Sequence, residues 1–339
     1  MLDTDRPIPD LGRPAAGAAV RPARPRRVPK VFDKYMLPKV AFTLVTGASL
    51  AGAILTGLRH GWIDWPLLAV RWLAYWFLAM LLGSEVWKIF YLRPSVNMRP
   101  VADAVEYGEA MIVLHRRWQR VLAPLGIALA CAQLAIYGRQ HPGLLPWAGL
   151  AVALLLAAGA AIALGWRRPV DTRRQNGLDW TALVNMAAAV AVMGTVDVLI
   201  QSGPGLAGGL LSLNRTLHLL AFSAWLGGAL WNIFIAVPAG QVRENMDTVI
   251  LANFQLERFR VVVRTVFPTI VASGLVQAWA MFGWSWEPFV TTSWGWLVLL
   301  KLGMIASLVV VFITCPMWGA CSPIRGVCNL DDLFEPEEE

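Results

Sequence analysis

Eight stretches of this chain run for about 20 residues with almost no charge, the length of helix that crosses a bilayer. They lie near 37–58, 66–91, 121–138, 145–165, 181–201, 212–237, 262–283 and 294–314. Backbone in a membrane has no water to bond, so such segments must close their hydrogen bonds internally. Their Leu, Ala, Val and Trp follow one another without the two-residue alternation of a membrane β-barrel strand. A water-facing domain rarely reaches 57% hydrophobic and 15% charged residues with a mean hydropathy of +0.55. The expected fold is therefore an all-α integral membrane protein with eight transmembrane helices.

The segments also repeat. VRWLAYWFLAMLLGSEVWKIFYLRP lies over NRTLHLLAFSAWLGGALWNIFIAVP at an offset of 144 residues, pairing Gly83 with Gly227, Trp87 with Trp231 and Pro94 with Pro238. The same offset pairs Arg120 with Arg264, Pro124 with Pro268 and Gln133 with Gln277. An even number of spans per copy leaves both copies in one orientation, which predicts two parallel four-helix repeats. The expected division is a basic, Pro/Arg-rich tail at 1–36, a first repeat at 37–165 and a linker at 166–180. A second repeat at 181–314 and a Cys-containing acidic tail at 315–339 complete it.

Basic residues gather on alternate connections. Arg13, Arg21, Arg24, Arg26, Arg27, Lys30 and Lys34 precede the first span; Arg93, Arg99, Arg116, Arg117 and Arg120 follow the second. Arg167, Arg168, Arg173 and Arg174 follow the fourth, and Arg243, Arg258, Arg260 and Arg264 the sixth. The intervening connections are nearly bare, so the positive-inside rule predicts that both termini are cytoplasmic. The net charge of +7 is thus a topological signal, and no nucleic-acid partner is expected. The lipid bilayer is the expected partner, with the tails as docking segments for other subunits of a membrane complex. Residues 1–36 lack an apolar core, so no cleavable leader is expected there. No phosphate loop, nucleophile elbow or His-Glu zinc motif occurs, and the chain is not expected to be an enzyme.

Ionisable residues inside spans are costly and mark functional candidates. Glu85 and Lys88 are three apart, on one helix face, and can pair. Asp197 and Lys301 fall at similar depth near the outer ends of the fifth and eighth spans. His218 falls near the outer end of the sixth, where the aligned residue of the first copy is Ala74. Imidazole there can ligate a metal or haem, or simply pack. Met281, Met193 and Met304 lie at outer and central depth, and Cys315, Cys321 and Cys328 cluster after the last span. Their spacing fits no zinc or iron–sulfur pattern, but thiols and thioethers are the ligands Cu(I) takes. Gly83, Gly227 and Gly228, flanked by Trp87, Trp225 and Trp231, provide small surfaces for close helix packing.

The run LHLLAFSAWLGGALW, with His218 seven residues before a Trp-x-Gly-Gly, resembles the signature helix of the CopD family. The segments TVFPTIVASGLVQAWAMFG and WGWLVLLKLGMIASLVVV, the latter bearing Lys301, are similar to that family's last two helices. The resemblance covers roughly 180–314 and is weaker in the first half. It implies an eight-helix protein of the bacterial inner (cytoplasmic) membrane that handles copper ions. On it His218 is the metal-site residue, with Trp225, Gly227, Gly228 and Lys301 its structural companions. Two further functions suit the sequence: a structural or anchoring subunit of a respiratory or photosynthetic complex, and a redox subunit holding haem b or a quinone. For haem b, a second intramembrane His facing His218 is not evident in the sequence, and Met is the remaining ligand type. Reporter fusions test the topology: a cytoplasm-active reporter should work at both termini and fail after residue 140.

Overall fold

The computed structural model describes residues 36–58, 64–92, 102–168, 170, 183–192, 206–241 and 246–314. These are almost wholly helical, with no strand among the described residues. The helices are α1 (Met36–Leu58), α2 (Trp65–Leu92), α3 (Ala102–Gln140), α4 (Leu145–Arg167), α5 (Leu183–Val192), α6 (Leu206–Gln241), α7 (Met246–Phe282) and α8 (Ser293–Thr314). A short helical turn, Glu287–Thr291, joins α7 to α8. Seven of these helices are long and apolar enough to cross a membrane, the architecture of a multi-pass membrane protein. Only Leu183–Val192 of the fifth expected span is described, too short by itself to cross. Met193 and Asp197 lie outside the described residues, as do Cys315, Cys321 and Cys328.

Two helices begin much earlier than their apolar runs. α3 starts at Ala102 instead of 121, and α7 at Met246 instead of 262. The added turns carry charged residues such as Glu109, Arg116 and Glu257, which a hydropathy criterion assigns to loops. Helix continues through them because the buried face keeps its helical spacing: Tyr107, Met111, His115 and Leu122 are all inside the bundle. Pro124 and Pro268 lie inside α3 and α7. α6 contains one π turn, Asn232–Ala236. Pro238 follows it and has no N–H to return to Phe234, and a widened turn relieves the ring's clash with that carbonyl.

Packing centres on α2 and α6. α2 lies against α3 and α6, α6 against α7, and α1 against α8 at the far end of the chain. The α2–α6 crossing is built on absent side chains. A Cβ on Gly83 would collide with the Ser223 carbonyl and the Gly227 backbone, and one on Gly227 with the backbone of Gly83 and Ser84. The two glycines that the 144-residue offset aligns thus touch each other. Gly228 offers a flat seat to Trp87, whose ring would lie 2.7 Å from a Cβ there. Seated so, Trp87 donates from Nε1 to the Ala224 carbonyl at 2.6 Å. Around this contact runs the main core, including Leu78, Leu122, Leu155, Leu226 and Leu230. Leucines such as Leu150, Leu156 and Leu164 on α4 face outward, as lipid-facing residues do.

The crossing predicts an asymmetric response to substitution. Gly83→Leu or Gly227→Leu should destabilise the protein by about 3 kcal/mol or prevent its assembly, because backbone stands where the side chain must go. Gly209→Ala on α6, where a Cβ meets nothing within 4 Å, should be neutral or slightly stabilising. Unfolding midpoints in detergent distinguish the two classes.

Candidate functional site

Polar groups inside the bundle gather in two places about 20 Å apart along α6, the length of the 13 residues from His218 to Trp231. The first place is formed by α1, α6, α7 and α8. Asn214 and His218 are four apart on α6 and so share a face, and both meet Ser273 of α7. Asn214 Nδ2 donates to the Ser273 carbonyl at 2.9 Å, and His218 Nδ1 lies 2.9 Å from Ser273 Oγ. Gln277, one turn on, also donates to that carbonyl at 3.3 Å.

The single hydroxyl proton of Ser273 decides the histidine tautomer. Ser273 Oγ donates to the Thr269 carbonyl at 2.5 Å, one turn back on its own helix. It is therefore the acceptor toward His218, and Nδ1 carries the imidazole proton. That leaves the lone pair on Nε2; the ring also hydrogen-bonds the Ile270 carbonyl on α7. Gly274 lies beside the ring, where a Cβ would make an ordinary contact 3.5 Å from His218 Cε1.

The imidazole lines two adjoining cavities, of about 340 and 170 Å³. Met281 lines the larger, Met304 the smaller, and Lys301 and Arg215 line both. Met304 is tied to α1, with its Sδ and Cε 3.5 Å from the Cβ position of Gly47. Arg215 Nη2 donates to Thr56 Oγ1 at 3.2 Å. Thr56 Oγ1 in turn donates to the Gly52 carbonyl at 2.9 Å. Of the sequence-derived metal candidates, His218 thus lines both cavities, Met281 the larger and Met304 the smaller. Among the described residues no group of three or more His, Cys, Asp or Glu converges, so any soft-metal ligation here depends on one imidazole and thioethers. Trp225 lines the smaller cavity, while Trp231, Trp87 and the three glycines build the seam beneath it.

At the second place Glu85, with none of its surface exposed, is held on both oxygens. Lys88 Nζ approaches Oε2 at 2.6 Å and Gln119 Nε2 donates to Oε1. His115, also buried, places Nε2 3.3 Å from Ser84 Oγ and 3.9 Å from Glu85 Oε1, with its ring 5.2 Å from that of Trp231. Ser84 Oγ donates to the Leu81 carbonyl, so His115 Nε2 is the donor of the pair. His115 precedes the apolar run at 121–138, and the longer α3 brings it into the bundle. His115 is buried and His218 half-buried, and they belong to different polar clusters, so the two offer no bis-His geometry for a haem.

Ser273, Asn214, Gln119 and Arg215 also escaped the sequence reading. Serine, asparagine and glutamine are too common in membrane helices to stand out. Arg215 carried a usable signal, since the 144-residue offset aligns it with Arg71, which lines the smaller cavity too. The Glu85 cluster makes a further expectation. Glu85→Ala leaves a buried ammonium and amide without their acceptor and should cost about 3–5 kcal/mol, whereas Glu85→Gln should cost less, read as unfolding midpoints.

Comparison with known proteins bears on the first site. No curated protein and no solved structure matches the chain. Residues 255–319 match the family model CopD, copper resistance protein D. The match spans most of α7 and all of α8, and so contains Ser273, Gln277, Met281, Lys301 and Met304; it stops short of α6 and His218. The segment similar to copper resistance protein D therefore forms one wall of the cavity that His218 closes from the other side.

Proposed function

We propose that the chain is a CopD-like membrane protein that handles copper ions at or across the bacterial inner membrane, without enzymatic activity. The observation that carries this reading is the state of His218. Its Nδ1 proton is committed to Ser273, and the residue lines two adjoining cavities, the larger bordered by Met281 and the smaller by Met304. A hydrogen-bonded second nitrogen is the usual support of a metal-ligating imidazole, because it fixes the tautomer and ring orientation. One nitrogen with one or two sulfurs suits Cu(I), which is content with two or three soft ligands. The match of α7 and α8 to copper resistance protein D supports the same metal.

On this reading Ser273 positions, and His218 and a methionine bind. The purified protein loaded anaerobically with Cu(I) should retain copper at a fixed ratio per chain, measured by elemental analysis. His218→Ala should abolish that retention. Ser273→Ala should keep the site but weaken it about tenfold, through loss of ring orientation. Copper content unchanged in His218→Ala would overturn the proposal.

A further inference from the structure

The cavity that would receive copper is walled by cations. Lys301 on α8 reaches back toward α1, where its Nζ would stand 3.3 Å from a Cβ on Gly52. One turn along α1, Thr56 receives the guanidinium of Arg215. Lys301 and Arg215 therefore converge on the Gly52–Thr56 turn. Arg215 is three residues from His218, on the same face of α6. Arg71 also lines the smaller cavity; both arginines have further partners, and no Asp or Glu is among the described residues lining either space. Lys301 makes no hydrogen bond or ion pair with any described residue.

From this arrangement, and resting on the copper reading above, we propose that the cavity takes copper together with a small soft anion, a halide or a thiolate, which Lys301 holds. A bare Cu(I) on neutral imidazole and thioether ligands would bring uncompensated positive charge beside an ammonium, where little water screens the repulsion. An anion between metal and ammonium neutralises both and fills the remaining coordination position of Cu(I). The charge then enters the membrane interior as a near-neutral complex, which reduces the cost of burial. Lys301 is a positioning residue in this scheme: its partner is the anion, and it does not ligate the metal. Only association is involved, with no change in the oxidation state of copper.

The test is X-ray absorption at the copper edge on the full-length protein in detergent, loaded with Cu(I) in buffer whose only halide is bromide. A heavy bromide scatterer should appear beside the nitrogen and sulfur shell in the wild type. It should persist in Lys301→Arg and vanish in Lys301→Met, with copper affinity in bromide falling at least tenfold in the latter. Copper bound through nitrogen and sulfur alone in the wild type would overturn the anion proposal and leave the copper reading standing. Bromide retained in Lys301→Met would overturn the role of Lys301. No copper retained by the wild type in any halide would remove the copper reading, and this inference with it.

Discussion

The contact between Gly83 and Gly227 is the constraint from which the rest of the bundle is placed. Two helix backbones meet there with no side chain between them, as small residues allow inside membranes. Apolar side chains gain little by leaving lipid for protein, so close fit and internal hydrogen bonds must supply the association. The crossing supplies both, since the same approach lets Trp87 lie on Gly228 and donate to the Ala224 carbonyl. With α2 and α6 set, α3 and α7 lie against them, and the two polar clusters fall on either side of the seam.

Those clusters are complementary in the halves they draw upon. Glu85, Lys88, His115 and Gln119 come from α2 and α3, where the residues 144 positions later are Ala229, Asn232, Phe259 and Val263. His218, Ser273 and Lys301 come from α6, α7 and α8, where the residues 144 positions earlier are Ala74, Leu129 and Ala157. Each half carries ionisable groups where the position 144 residues away in the other is largely apolar. One cluster is closed, with the Glu85 oxygens taken by an ammonium and an amide. The other borders open space, and its imidazole keeps a lone pair. A satisfied network stiffens a fold; a partly satisfied one at a cavity is where a ligand gains from binding.

Much of this was legible in the residues. Charge-free runs gave the helical class, the small residues of WLGGALW marked the seam, and the isolated His218 pointed to the cavity. What escaped was set by neighbours in space. The early starts of α3 and α7 follow from one buried face of an otherwise charged helix, which mean hydropathy averages away. Ser273 matters because its hydroxyl already has an acceptor on its own helix, a fact of geometry with no sequence signature. The link from Arg215 through Thr56 to Gly52 joins residues more than 150 positions apart and needed the folded chain.

The pairing of α1 with α8 bears on how the protein is made. α1 touches α2 and α6 only lightly, and its main partner is α8, made after every other described helix. Through most of synthesis, then, α1 waits in lipid without the neighbour that will hold it, and the wall around Lys301, Gly52 and Met304 does not exist. The cavity therefore cannot close until α8 is made, after the α2–α6 seam is already available. Assembly order alone would keep a chain not yet extended through α8 from presenting the site, since α1 and α8 each supply part of its wall.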